Sequence, residues 1–127
     1  MPLVEDIIHS RFSIQAYDNA QVTINDKTHV DSLVLSSDQL ITPWPVHDIR
    51  QLNPEQLQCI FELKPEVVLL GTGDRQQFPD VEILGLFAEQ RIGLEVMNTG
   101  ALCRTFNILV AENRQVVAAI IQSRAED

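Results

Sequence analysis

The chain has 127 residues, 45% of them hydrophobic and 21% charged. That is one ordinary domain's worth of sequence, able to bury roughly 65–70% of its unfolded surface, and it excludes disorder as the main state. Nine basic residues against eighteen acidic ones give a net charge of -9, a field that repels polyphosphate and excludes nucleic acid as a partner.

The N-terminal stretch from Met1 to Asp6 is acidic and has neither an apolar signal core nor an arginine-rich amphipathic segment. The longest apolar run, Val116 to Ile121, is far shorter than the roughly 18 residues a bilayer span needs. A soluble, cytoplasmic chain that is not an integral membrane protein is therefore expected. Phe12, Ile14 and Ala16 alternate with polar residues, and the pattern resumes at Val22 and Ile24 after a turn at Tyr17-Asp18-Asn19. A second turn at Asn25-Asp26-Lys27 leads to Leu33-Val34-Leu35, so three short antiparallel strands are predicted. Thr42-Pro43-Trp44-Pro45 follows as a loop, because proline lacks a backbone donor and pushes the residue before it toward extended geometry.

Beyond that loop helix and strand alternate. Asn53, Pro54 and Gln56 have the spacing of a capping box with proline at the first helical position, and Leu57, Ile60 and Phe61 fall on one face. Val67 to Leu70 is a continuous apolar run ending at Gly71-Thr72-Gly73, the pattern of a parallel strand covered on both faces. A second helix is predicted from Asp80 to Arg91 with Val81, Leu84 and Ala88 as its buried stripe, and Leu94 to Met97 is the next strand. Asn98-Thr99-Gly100 opens a third helix, whose buried stripe is Leu102, Phe106, Leu109 and Val110, and Val116 to Ile121 is the last strand. No repeat, linker or charge block divides residues 1–127, so a single domain is expected. Its fold class is three-layer α/β, with a central mixed sheet built from a C-terminal βαβαβ unit and an N-terminal antiparallel β-hairpin region.

In such sheets ligands collect beyond the carboxyl ends of the parallel strands. Gly71, Thr72 and Gly73 fall there, as do Asn98, Thr99 and Gly100, and free amides at the start of a helix favour an anion. Arg104 lies in the first turns of that helix, where a cation is disfavoured, so a compensating anion is expected: a carboxylate such as Asp74 or Glu95, or a bound anionic ligand. A dinucleotide fingerprint fails because its third glycine position is Gln76, and no phosphate-binding lysine motif exists, since the lysines are Lys27 and Lys64. No cofactor is expected. No serine stands in a nucleophile elbow. Cys59 and Cys103 read as reduced core thiols, with Cys103 activated only if solvent reaches it near the helix start. His9, His29 and His47 are scattered over different segments, without the spacing of metal ligands, and His47-Asp48 is at most a local hydrogen-bonded pair. No catalytic residue and no metal site are assigned. Trp44, held between two prolines, is either a rigid anchor for a protein partner or a lid on the core edge.

The stretch from Gly93 to Leu109, the Val116-Val117-Ala118-Ala119 strand, the Pro43-Trp44 loop and the Leu69-Leu70-Gly71-Thr72-Gly73 strand end resemble a small domain of unknown function found in bacteria and archaea. The same family includes mitochondrial NADH:ubiquinone oxidoreductase (complex I) assembly factor 3. The resemblance runs from Phe12 to Ile121 and implies a three-layer α/β fold without established catalytic residues. It also implies a role through protein contacts, as an interaction or assembly module for a respiratory or membrane-associated complex. The competing expectation is a small anionic-metabolite-binding protein, or an enzyme, using residues 71–73 and 98–104.

Overall fold

The computed structural model describes residues 12–18 and 21–123. Strands β1 (Ile14–Asp18), β2 (Gln21–Ile24) and β3 (Lys27–His29) form an antiparallel sheet in that order. The β2–β3 turn places Asn25 and Asp26 at φ 45° and 72°, the twisted two-residue hairpin geometry that asparagine and aspartate tolerate. β3 corrects the sequence reading, in which Leu33–Leu35 was the third strand of this group. Lys-Thr-His carries no apolar alternation, and it is the tight turn that lays it beside β2. His9 and Asn19 lie outside the described residues.

Leu33–Leu35 is β4, and it belongs to a second, mixed sheet with β5 (Leu40–Ile41), β6 (Val67–Gly71), β7 (Gly93–Met97) and β8 (Val116–Ile120), in the order β5-β4-β8-β6-β7. β8 pairs antiparallel with β4 and parallel with β6, and all five of its residues are buried, as expected of a strand covered on both faces. Helices α1 (Pro54–Phe61) and α2 (Val81–Gln90) cover one face of this sheet; α3 (Thr99–Ala111) and the three-stranded sheet cover the other. The result is the expected three-layer α/β architecture around a mixed sheet.

Strand alternation divides the core in two. Leu33, Leu35, Leu69, Val116, Ala118 and Ile120 face Leu102, Phe106 and Val110 of α3, with Ile14, Val22 and Ile24 of the small sheet. Val34, Val68, Leu70, Val117 and Ala119 face Leu57 and Ile60 of α1, Ile83 and Phe87 of α2, and Trp44. The predicted stripe of α2 is therefore corrected: Ile83 and Phe87 are buried, whereas Val81, Leu84 and Ala88 are exposed. Phe87 sits edge-on to Phe61 of α1 with ring centroids 5.2 Å apart, which fixes this rotation of the helix.

Trp44 is 2% exposed and its indole N–H donates to the Gln56 carbonyl at 3.1 Å. The lid reading holds, and the partner-anchor reading is corrected: the ring is already covered by its own domain, because its apolar area packs in the core cluster that holds Val34, Leu57 and Ile60 and its donor finds a partner on α1. The capping box forms as expected. Asn53 Oδ1 accepts from Gln56 N (3.2 Å), Gln56 Oε1 accepts from Asn53 N (3.1 Å), and Gln56 Nε2 also donates to the Pro45 carbonyl (3.1 Å), tying the loop to the helix.

Candidate functional site

The carboxyl ends of β6 and β7 meet the start of α3 where the sequence placed a ligand edge. Gly71 lets α3 come close, since a Cβ there would stand 3.0 Å from Leu102 Cδ1 and 3.1 Å from Thr99 Oγ1. Gly73 adopts φ +90°, a conformation glycine takes without strain. Thr99 is fully buried between these glycines: its hydroxyl accepts from Gly73 N (2.9 Å) and its own N–H donates to the Gly73 carbonyl (2.8 Å). Thr72 N donates to the Met97 carbonyl (3.2 Å), and the Thr72 hydroxyl accepts from Gln77 N (3.0 Å) while donating to the Arg75 carbonyl (2.5 Å). Asn98 caps α3 by accepting from Ala101 N (2.9 Å). The amides and hydroxyls expected to cradle an anion thus hold the two loops to each other.

Arg104 departs from expectation in two ways. It forms no ion pair with Asp74 or Glu95; among the described residues the ion pairs are Arg50–Asp48 and Arg114–Glu66. Its side chain is exposed, so water offsets the unfavourable end of the helix dipole without a carboxylate. Arg104 also lines a different concavity from Thr72 and Gly73. With Gly100, Cys103 and Asn107 of α3 and Ala16 and Tyr17 of β1 it lines a groove of about 290 Å³. Thr72 and Gly73 instead line a pocket of about 60 Å³ with His47 and Gln77. Of the residues expected at one edge, Gly100 and Arg104 line the groove and Thr72 and Gly73 the smaller pocket.

Tyr17 and Asn107 shape the groove, and neither was singled out from sequence. The Tyr17 hydroxyl donates to Asp74 Oδ1 (3.1 Å), and burial, together with the Asp74 carboxylate, holds the phenol above its ordinary pKa. Asn107 Oδ1 accepts from Ile14 N (2.9 Å) and Asn107 Nδ2 donates to the Ile14 carbonyl (2.7 Å), the pattern of a neighbouring strand made by one amide. A carboxamide at a half-buried helix position is the only signal in the sequence for such a clamp.

Burial pushes the Cys103 thiol up to about 11 despite nearby Arg104, and burial also raises Cys59. Asp48 does not pair with His47. Its carboxylate accepts from Arg50 N (2.9 Å), Nε (3.0 Å) and Nη2 (2.7 Å), which holds it well below the usual carboxylate range. His47 Nδ1 is buried without a partner among the described residues. Burial, and then Lys27, lower the pKa of His29. Among the described residues no group of His, Cys, Asp or Glu side chains is placed to hold a metal ion, and no helix is long and apolar enough to cross a membrane.

Comparison with known proteins agrees with the architecture. The chain is 37% identical to a Xanthomonas campestris protein solved by NMR, with TM-score 0.84, covering 91% of this chain and 88% of that one. An outer membrane protein from Bartonella henselae is 30% identical with TM-score 0.79, over 91% and 98% of the two chains. The 13 kDa major membrane protein of Francisella tularensis subsp. holarctica is 30% identical over 122 residues, 95% of this chain and 99% of that protein. NADH dehydrogenase [ubiquinone] 1 alpha subcomplex assembly factor 3 of Xenopus tropicalis is 29% identical over 116 residues, 82% of this chain but 63% of the assembly factor's length. A family model described as protein of unknown function (DUF498/DUF598) matches residues 14–121. With nearly all of the described fold inside that match, the chain belongs to the DUF498/DUF598 family.

Proposed function

We propose that this chain is a cytoplasmic, non-enzymatic assembly module that acts through protein contacts on a respiratory or membrane-associated complex. The observation that carries this reading is the internal use of the sheet edge: Thr72, Gly73, Asn98 and Thr99 bond to the protein's own backbone and loops, and the Cys103 thiol is held protonated. Groups engaged in this way are scaffold. Likeness to complex I assembly factors, over 82% of this chain in the Xenopus relative, supports the same reading. The surface we assign to the partner is the groove between β1 and α3, where Arg104 presents a cation with no ion-pair partner among the described residues, in a protein of net charge -9. Affinity purification from native cells with the parent and with Arg104→Glu tests it. The expected result is recovery of a membrane-complex subunit by the parent and roughly tenfold less by the variant at equal melting temperature. Equal recovery by both refutes the assigned surface.

The same Arg104, without an ion pair among the described residues, favours a second reading, a small anionic metabolite held in the groove of about 290 Å³. In that case phosphate or sulfate raises the melting temperature beyond a chloride control of matched ionic strength, and Arg104→Gln removes the excess. A co-purifying small anion in native mass spectrometry supports this reading over the first.

A further inference from the structure

β7 is the last strand of the five-stranded sheet, bonded to β6 on one side only. Gly93 N donates to the Glu66 carbonyl and Thr72 N donates to the Met97 carbonyl, both at 3.2 Å. In a parallel ladder this sets the backbone groups of Gly93, Glu95 and Met97 toward β6 and those of Leu94 and Val96 toward the open edge. The Val96 carbonyl is taken by Gln76 Nε2 at 2.8 Å. Leu94 N–H, Leu94 C=O and Val96 N–H have no partner among the described residues. Above this edge α2 carries an outward apolar stripe: Val81 is 81% exposed and Leu84 39%, with Phe78 at 65% in the loop before them. A right-handed β6–α2–β7 crossover turns the Leu84 flank toward the open edge, and Glu82 and Glu89 fall on the opposite flank.

We propose that the β7 edge and the α2 stripe form a self-complementary surface that takes a second copy of this chain, joined by antiparallel pairing of β7 about Leu94. A two-fold axis through Leu94 makes the free Leu94 N–H and C=O of each copy exchange bonds with those of the other, which is what an isologous edge contact requires. It sets Glu95 opposite Gly93 of the other copy, so no like charges face one another. The neighbouring register, centred on Glu95, needs the Val96 carbonyl that Gln76 occupies and opposes Glu95 to itself. The axis stands perpendicular to the sheet, so both α2 helices lie on the same face with their Val81, Leu84 and Ala88 stripes meeting. The five-residue edge spans about 17 Å and the strand and helix layers together about 20 Å, on the order of 350 Å² per copy. That is below the roughly 800 Å² per partner of a tight complex, so the dimer is concentration-dependent. The inference is independent of the assembly role, whose assigned groove lies on the other face of the sheet.

Sedimentation velocity of the full chain from about 10 to about 500 µM, with hydrogen exchange read at both ends, tests it. The expected result is a monomer–dimer equilibrium in which the Leu94 and Val96 amides gain protection with concentration. Association tightens with added salt, because two chains of charge -9 repel and ions screen them. Val81→Glu combined with Leu84→Glu weakens the dimer at least tenfold with the melting temperature retained, since both side chains are exposed. Leu94→Pro removes the outward donor, as proline at an edge can, together with part of the Leu94 packing on the α1–α2 side of the core, and abolishes the dimer while Glu95 stays protected. A chain still monomeric at the highest concentration in high salt overturns the proposal, and so does a dimer unaffected by the glutamate pair. Edge amides protected only by a different protein, or by phosphatidylcholine vesicles, overturn the choice of a second copy.

Discussion

Replacing Trp44 with alanine removes the one tryptophan from the α1–α2 side of the core. The ring is 2% exposed and packs in the cluster that includes Val34, Leu57 and Val117, so truncation opens a cavity that neighbouring side chains only partly refill. Burial and cavity terms for an aromatic-to-alanine change come to about 3–5 kcal/mol. The indole N–H is lost as well, but the Gln56 carbonyl it leaves lies near the start of α1, where water and helix geometry replace part of the bond, so about 1 kcal/mol more is expected. Spread over a chain of this size, a total loss of about 5 kcal/mol lowers the melting temperature by roughly 15–25 °C. Circular dichroism melting of parent, Trp44→Ala and Trp44→Phe measures it, with the phenylalanine variant expected to retain more than half of the lost stability because it refills most of the volume. At low temperature, where Trp44→Ala is still folded, partner recovery should equal that of the parent. A Trp44→Ala melt within a degree or two of the parent would refute the placement of the ring in the core, and a native melt with lost partner recovery would restore the anchor reading.

Ala118→Asp sets a carboxylate into a fully buried strand among the apolar side chains of the α3-side core and should cost roughly 3–5 kcal/mol, read as a collapse of the thermal transition. Thr99→Val keeps the volume but orphans Gly73 N–H; a loss of about 1–3 kcal/mol and faster exchange of the Gly73 amide are expected, and an unchanged amide rate would show that the loop is held otherwise. For Cys103 the folded thiol stays protonated up to about 11, above its ordinary value of 9.0. Between these values the unfolded chain has released a proton that the folded one retains, so stability present below pH 9 falls as pH rises toward 11. Tyr17, also raised, adds to the same fall, so chemical denaturation across that range should show a shallower slope in Cys103→Ala but not a flat one. A slope identical to the parent's would show that solvent reaches the thiol.

Local chemistry was legible in the sequence where a few neighbouring residues settle it. Asn53, Pro54 and Gln56 announce the start of α1, and the apolar run Val67–Leu70 announces a strand buried on both faces, because each feature is complete within one turn or one strand. The rotation of α2 was not legible. Val81, Leu84 and Ala88 and the pair Ile83 and Phe87 are both apolar sets at helical spacing, and only contact with Phe61, twenty-six residues upstream of Phe87, chooses between them. β3 was missed because a turn rather than its side chains makes it a strand. At the candidate site, the positions of the glycine loop and the α3 start were readable. The filling of their amides by Thr99, and the turning of Arg104 to the β1 side, depend on how close α3 comes to β6, a distance no local pattern encodes.

The central position of β8 has a consequence for the order of synthesis. Its neighbours, β4 and β6, come from residues 33–35 and 67–71, and they do not touch each other in the sheet except through residues 116–120. While a ribosome still holds those five residues, the emerging chain contains two separate pieces, a β4–β5 hairpin and a β6–β7 pair, each with an apolar strand exposed along its inner side. The sheet therefore closes only after the final strand has left the exit tunnel, and closure joins long-range contacts all at once, a topology that folds slowly. During that interval the unpaired β4 and β6 are open to wrong strands, so recombinant yield should depend on chaperone supply more than the melting temperature of the finished protein would imply.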